Sequence, residues 1–196
     1  PTGKLLTFGA RQGKELVWKV NEVTGDTALP NSTNNQEVVS GNLPDKANLY
    51  NIELPKNWKL ISNVGAGEYG QLSALHAESA DWKVHEDDSG EICTQTYIDS
   101  GANFYLGVYS GTNVSVHSGE GGGTEVGVIE KKTILVDGTE GLYHKYQNFC
   151  TVRGESMDVH IIRNGKSYHM VMNYSPEKFT NAGEVFIQII NSLRLE

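Results

Sequence analysis

Asn164-Gly165 is the feature of this 196-residue sequence that most constrains its fold. It separates two runs, 157–162 and 166–173, in which apolar residues alternate with others. Asn-Gly suits a type I′ turn, which needs positive φ at both central residues, so the pair predicts a two-residue β-hairpin. The turn also sets the register of the predicted core face, which pairs Met157 with Met172, Val159 with Met170, and Ile161 with Tyr168.

The opposite face of this hairpin carries the candidate site. The register places His160 directly opposite His169, and Asp158 lies two residues along on the same face. Two imidazoles and a carboxylate can bind a divalent transition metal, so these three residues are the predicted ligands. Protonation of both histidines below about pH 6.5 would instead oppose like charges, which predicts a pH sensor. A structural interpretation also stands: two half-exposed histidines on a polar sheet face, or one beneath a helix.

The remaining pattern predicts further strands and one helix. Strands are expected at 49–55, 58–63 and 71–77, with hairpins joining 92–98 to 104–109 and 126–136 to 142–152. Near the C-terminus an apolar stripe predicts a helix, which begins at Pro176 or is capped by Thr180. The stripe consists of Val185, Phe186, Ile189, Ile190 and Leu193. The fold class is therefore α+β, a mostly antiparallel β-sheet with a C-terminal helix packed on one face.

Composition and cysteine spacing limit the domain organisation, the classes of partner and the cellular compartment that the chain can have. Residues 1–45 contain one short strand pattern and an Asn/Gly/Pro-rich arm or linker, and 46–196 form the main domain. A net charge of −8 argues against nucleic acid and anionic membranes as partners, and no apolar run is long enough to span a membrane. Cys93 and Cys150 lack zinc-ligand spacing; they form one disulfide or remain two buried thiols. The disulfide is favoured, which predicts an extracytoplasmic protein.

Other chemistry has thin support in the sequence. The acidic run 86–88 with Glu91 lacks the spacing of a calcium loop and is expected to be a solvated loop or a docking patch for a basic partner. A hydrolase would need a site built from loops 65–90 and 110–125, with His76, His85 or His117 as its base. No nucleophile elbow and no dinucleotide-binding glycine motif is present. No catalytic residue is therefore assigned.

Three features in order resemble the PsbP-like family, which includes the extrinsic photosystem II subunit and many small bacterial secreted proteins and lipoproteins. The run 52–59 (IELPKNWK) is similar to the family's entry strand and turn, and a hairpin follows at Asp137-Gly138. The strand 168–172, a polar turn and a helix closing on 190–195 complete the similarity, which covers about 47–196. The resemblance implies a PsbP-like α/β sandwich and a non-enzymatic role in binding or assembly.

These observations favour a non-catalytic, extracytoplasmic binding or assembly module, secreted or lipid-anchored, with a protein or cell-surface partner. The alternatives are a metal-binding or pH-sensing protein that uses His160 and His169, and a hydrolase with a loop-built site. No cofactor is expected apart from a weakly bound divalent metal.

Overall fold

The computed structural model describes residues 41–45, 47–67, 70–87, 95–112, 127–148 and 152–196. These residues form twelve strands and one helix, with no helix of the length and apolarity that a membrane crossing requires. The elements are β1 (Gly41–Pro44), β2 (Tyr50–Leu54), β3 (Lys59–Val64), β4 (Gln71–Glu78), β5 (Lys83–Asp87), β6 (Gln95–Ser100), β7 (Ala102–Ser110), β8 (Val128–Val136), β9 (Thr139–Asn148), β10 (Val152–Arg163), β11 (Lys166–Tyr174), α1 (Ala182–Ser192) and β12 (Arg194–Leu195).

The strands form two sheets that are almost entirely antiparallel. In the larger sheet the order is β3-β4-β7-β11-β10, and the far edge of β10 pairs with β9 along most of its length and with β6 at its start. β8 pairs with β9, and β5 pairs with β6. The smaller sheet has the order β1-β2-β12. The predicted mostly antiparallel sheet and C-terminal helix are therefore confirmed.

The hairpin of β10 and β11 forms in the predicted register. Asn164 and Gly165 have φ values of 52° and 72°, as a type I′ turn requires. A second hairpin, of β8 and β9, turns at Asp137-Gly138 with φ values of 47° and 75°. All three predicted core pairs occur, and each of their six side chains is at most 1% exposed. The pairs are Met157 with Met172, Val159 with Met170, and Ile161 with Tyr168.

The helix joins the buried cluster on that core face. Its apolar stripe contributes Phe186, Ile189 and Ile190 to the cluster. The ring of Phe186 has its centroid 6.4 Å from that of Phe104 on β7 and 6.3 Å from that of Tyr143 on β9. Burial of these side chains, worth about 1.5–3 kcal/mol each, holds the helix in place.

The predicted hairpin of 92–98 with 104–109 is wrong. β6 pairs with β5 and with the start of β10, whereas β7 pairs with β4 and β11. The physical reason is Gly101, which adopts a φ of 73° between the two strands. An L-residue rarely adopts this conformation, and here it redirects the chain, so β6 and β7 reach different partners. The solvated loop predicted for the acidic run 86–88 is wrong for Glu86 and Asp87, which belong to strand β5.

The helix begins at Ala182, with Asn181 at its N-cap, and not at Pro176. The residues around Pro176 form a separate turn, in which the backbone N–H of Phe179 donates to the carbonyl of Ser175 at 2.8 Å. The ring of Phe179 lies edge-on to Trp58, with centroids 6.5 Å apart. The observed start is close to that of the shorter predicted helix, the one capped by Thr180.

Candidate metal site

The two histidines of the β10–β11 hairpin lie side by side on the sheet face opposite the core. His160 is directly opposite His169, as predicted, and counting pairs from the two-residue turn makes this a non-hydrogen-bonded pair. Cα atoms in such pairs approach to about 4.5 Å, so their side chains are closer than in the alternate pairs. The imidazole rings stack with their centroids 4.0 Å apart and their planes inclined by 20°.

Asp158 brings a carboxylate to this histidine pair. One of its oxygens, Oδ2, lies 4.0 Å from Nε2 of His160 and 4.0 Å from Nε2 of His169. One ligand atom from each of the three residues lies within 4.8 Å of the other two. The structure therefore brings the three sequence-predicted ligands together around one point.

The sequence did not identify a fourth member, His144 on β9. His144 is directly opposite Asp158 in the pairing of β9 with β10, and its Nδ1 forms a hydrogen bond with Oδ1 of the Asp158 carboxylate at 3.0 Å. The two oxygens of Asp158 thus have different neighbours, since Oδ1 contacts His144 and Oδ2 faces the histidine pair. The signal that could have found His144 is the register of β9 against β10. No two-residue turn joins those strands, so the sequence does not give it.

All four side chains are buried, which contradicts the interpretation of half-exposed histidines. Asp158 is 2% exposed, His160 4%, and His169 8%. Gly107 on β7 is opposite His169, and a Cβ built there would lie 2.8 Å from the hydroxyl of Tyr109 and 3.0 Å from the ring of Tyr105. The absence of a side chain at Gly107 therefore lets two tyrosine rings lie over the sheet beside His169.

The charge of Asp158 acts on a neighbouring tyrosine. Burial, reinforced by this negative charge, raises the pKa of Tyr146 to about 12. Burial also raises the pKa of Tyr105, whose hydroxyl lies 3.3 Å from that of Tyr109. Both tyrosines stay neutral at ordinary pH. The carboxylate of Asp158 thus has imidazole groups and the neutral Tyr146 side chain around it, a polar environment that suits a cation.

The other predicted histidines lie elsewhere. Nε2 of His76 on β4 is 3.7 Å from Glu78, and burial lowers the pKa of this histidine while Glu78 partly opposes the shift. His85 on β5 is exposed, hydrogen-bonds Asp99 through Nδ1 at 2.6 Å, and stacks on the ring of Tyr97. Of the acidic run, Glu86 and Asp87 belong to β5. Five further predicted residues lie outside the described ranges, namely Asp88, Glu91, Cys93, His117 and Cys150.

Comparison with known proteins gives a weak structural likeness. No sequence family and no curated protein matches the chain. It is similar to cyanobacterial PsbP (CyanoP) from Synechocystis sp. PCC 6803, with a TM-score of 0.49 and 10% identity over 80% of this chain and 92% of that one. A crystal structure from Bacteroides thetaiotaomicron VPI-5482 gives a TM-score of 0.45 and 10% identity over 80% of this chain and 48% of that one. The weak PsbP-like resemblance is thus present in structure as in sequence.

Proposed function

We propose that the chain is a non-catalytic binding module that holds a divalent transition-metal ion between Asp158, His160 and His169. One observation carries the proposal: one carboxylate oxygen and two imidazole nitrogens, on buried side chains, lie within 4.8 Å of one another. A rigid sheet supplies all three ligands, because β10 and β11 are central strands that are paired on both edges. Sites on such strands keep their ligands in place better than sites on loops.

The donor set selects the class of metal. Imidazole nitrogen with one carboxylate suits zinc, copper or nickel, whereas calcium and magnesium need oxygen ligands. Tetrahedral zinc ligands at about 2.0–2.1 Å from the metal lie roughly 3.3 Å from one another. Zinc binding would therefore bring Oδ2 about 0.7 Å closer to each Nε2, and the two stacked imidazole rings would have to rotate so that both nitrogens point to the metal. Water would supply the fourth ligand.

His144 supports this site by positioning Asp158. Its hydrogen bond to Oδ1 leaves Oδ2 turned toward the histidine pair. Ligating carboxylates in metalloproteins are commonly held by such outer contacts, and loss of one costs about 10–100-fold in affinity. His144 is therefore assigned a positioning role.

The disulfide between Cys93 and Cys150 is part of the proposal, because an even number of cysteines without metal-ligand spacing favours one bridge. Both cysteines lie outside the described ranges. A disulfide would support an extracytoplasmic setting, where such bonds persist.

The proposal extends to the wider role of the domain. It includes a protein or cell-surface partner and a chain that is secreted or lipid-anchored. It also includes the packing of the sheet and helix as a PsbP-like sandwich. The pH-sensing and hydrolase alternatives stay predictions.

Calorimetric titration of chelator-treated protein with zinc chloride tests the metal site. Wild-type protein should bind one equivalent, and His160→Gln and His169→Gln should each lose that binding. His144→Gln should bind about 10–100-fold more weakly. His85→Gln is the matched control, because His85 also contacts a carboxylate but is exposed and has no second histidine beside it in its cross-strand pair.

The proposal fails if both hairpin variants titrate like the wild type, or if His85→Gln removes the binding. Circular dichroism of each variant shows whether the sheet has formed, so a loss of binding is not confused with unfolding.

A further inference from the structure

A recess of about 510 Å³ opens on the core face of the sheet, beside the start of α1. Its volume lies within the 300–1,000 Å³ typical of small-molecule sites. Its floor consists of Tyr143, Met157 and Tyr174, each at most 4% exposed, and Phe179 and Ile187 add apolar wall. Because Met157 faces the core and Asp158 faces the opposite side, this recess is separate from the metal site.

Two lysine side chains extend over the aromatic floor. Nζ of Lys132 lies 4.8 Å from the ring centroid of Tyr143, and Nζ of Lys145 lies 5.9 Å from that of Tyr174. Contacts of this kind are cation–π interactions, and they hold the ammonium groups above the rings. An aromatic surface with two positive groups above it is therefore built into the recess.

The carboxylates of the recess already have donors. Glu130 pairs with Lys132 at 2.8 Å, and Glu155 pairs with Lys145 at 2.8 Å and accepts the hydroxyl of Tyr174. Burial raises the pKa of Glu155, but the hydrogen bonds from Lys145 and Tyr174 outweigh it and keep that pKa below its usual range. Each ammonium has three N–H donors, so it can keep its glutamate and still donate to a further acceptor.

We propose that this recess binds a small planar aromatic carboxylate. The ring would lie against the apolar wall of Phe179 and Ile187, beside the buried floor, and the carboxylate would accept hydrogen bonds from Lys132 and Lys145. The inference is independent of the metal site, because it uses other residues on the other face of the sheet.

Gly183 provides a variant that fills the recess without disturbing the fold. It lines the recess in the first turn of α1, and a Cβ built there would meet nothing within 4 Å. A leucine at this position would occupy the space that the ligand needs. It should also favour the helix, because glycine is a poor helix former.

The test is a fluorescence titration with 2-naphthoate, with 2-naphthamide as the uncharged analogue of the same shape. Wild-type protein should bind 2-naphthoate more tightly than the amide by about tenfold, the value expected for a charge-assisted hydrogen bond. Gly183→Leu should weaken both ligands at least about tenfold and keep or raise the melting temperature. Lys132→Gln with Lys145→Gln should remove the preference for the carboxylate, and Lys59→Gln, on β3, is the control that should keep it.

Three results would overturn the proposal: no binding of 2-naphthoate at millimolar concentration, equal affinity for the amide, or unchanged binding in a folded Gly183→Leu variant. Equal loss of preference in Lys59→Gln would also overturn it, because overall charge would then explain the effect.

Discussion

Zinc should stabilise the folded chain, and His169→Gln should remove that stabilisation. A ligand that binds only the folded state adds about 2.7 kcal/mol to the free energy of unfolding when its concentration is about a hundred times its Kd. The described residues belong to one unit of roughly 160 residues, a size at which each kcal/mol shifts the melting temperature by about 2–4 °C. The wild type should therefore melt about 5–11 °C higher in zinc.

His169→Gln keeps a polar side chain on β11 but leaves one imidazole and one carboxylate, too few ligands for a zinc site. Its melting temperature without metal measures the structural cost of the substitution, because His169 is buried against His160. Its shift in zinc measures the metal site separately. His85→Gln should keep the full shift, and magnesium should produce none, because magnesium prefers oxygen ligands.

The assay is differential scanning calorimetry of chelator-treated protein, with and without zinc. The reasoning is refuted if His169→Gln shows the same zinc shift as the wild type, or if magnesium stabilises the wild type as much as zinc does.

Three further predictions concern the fold. Gly101→Ala should destabilise the fold by more than about 2 kcal/mol, because the residue has a φ of 73° and a Cβ there would clash with the Ser79 hydroxyl and lie 2.7 Å from the backbone nitrogen of Trp82; chemical denaturation measures this. The backbone N–H of Leu195 donates a hydrogen bond to Asp137, and this bond and the charge of Arg163 hold the pKa of the Asp137 carboxyl below its usual value. The ionised carboxylate therefore stabilises the fold above about pH 4, and this stabilisation is lost as the pH falls. Asp137→Asn, which preserves the turn, should flatten that part of the acid-unfolding curve. Intact mass under non-reducing conditions should show Cys93 and Cys150 oxidised, two hydrogens lighter than the reduced chain, and peptide mapping that found two free thiols would contradict this.

The hairpin of β10 and β11 shows what the sequence could predict. A two-residue turn leaves one register, so Asn164-Gly165 alone placed His160 opposite His169 and sorted the two faces correctly. Because side chains alternate between the two faces of a strand, Asp158 was expected on the same face as His160. Local turn chemistry was sufficient because the strands it joins are neighbours in the sheet.

Contacts between elements without such a turn could not be predicted. His144 reaches Asp158 from β9, and the chain between β9 and β10 has no turn signal that fixes a register. The sequence also does not show that Gly107 is opposite His169, where a Cβ would collide with two tyrosine side chains of β7. The hairpin predicted within 92–109 was wrong because the connection through Gly101 resembles a hairpin loop in sequence. In the structure β6 pairs with the start of β10 and does not pair with β7.

We expect Asp158, His160 and His169 to hold a transition metal together. The most direct measurement is the anomalous difference density of zinc in crystals grown from protein loaded with one equivalent of zinc. The density should show one strong peak about 2.0–2.2 Å from Oδ2 of Asp158 and from Nε2 of both histidines. A peak at the exposed His85–Asp99 pair, with none between the three buried side chains, would contradict it.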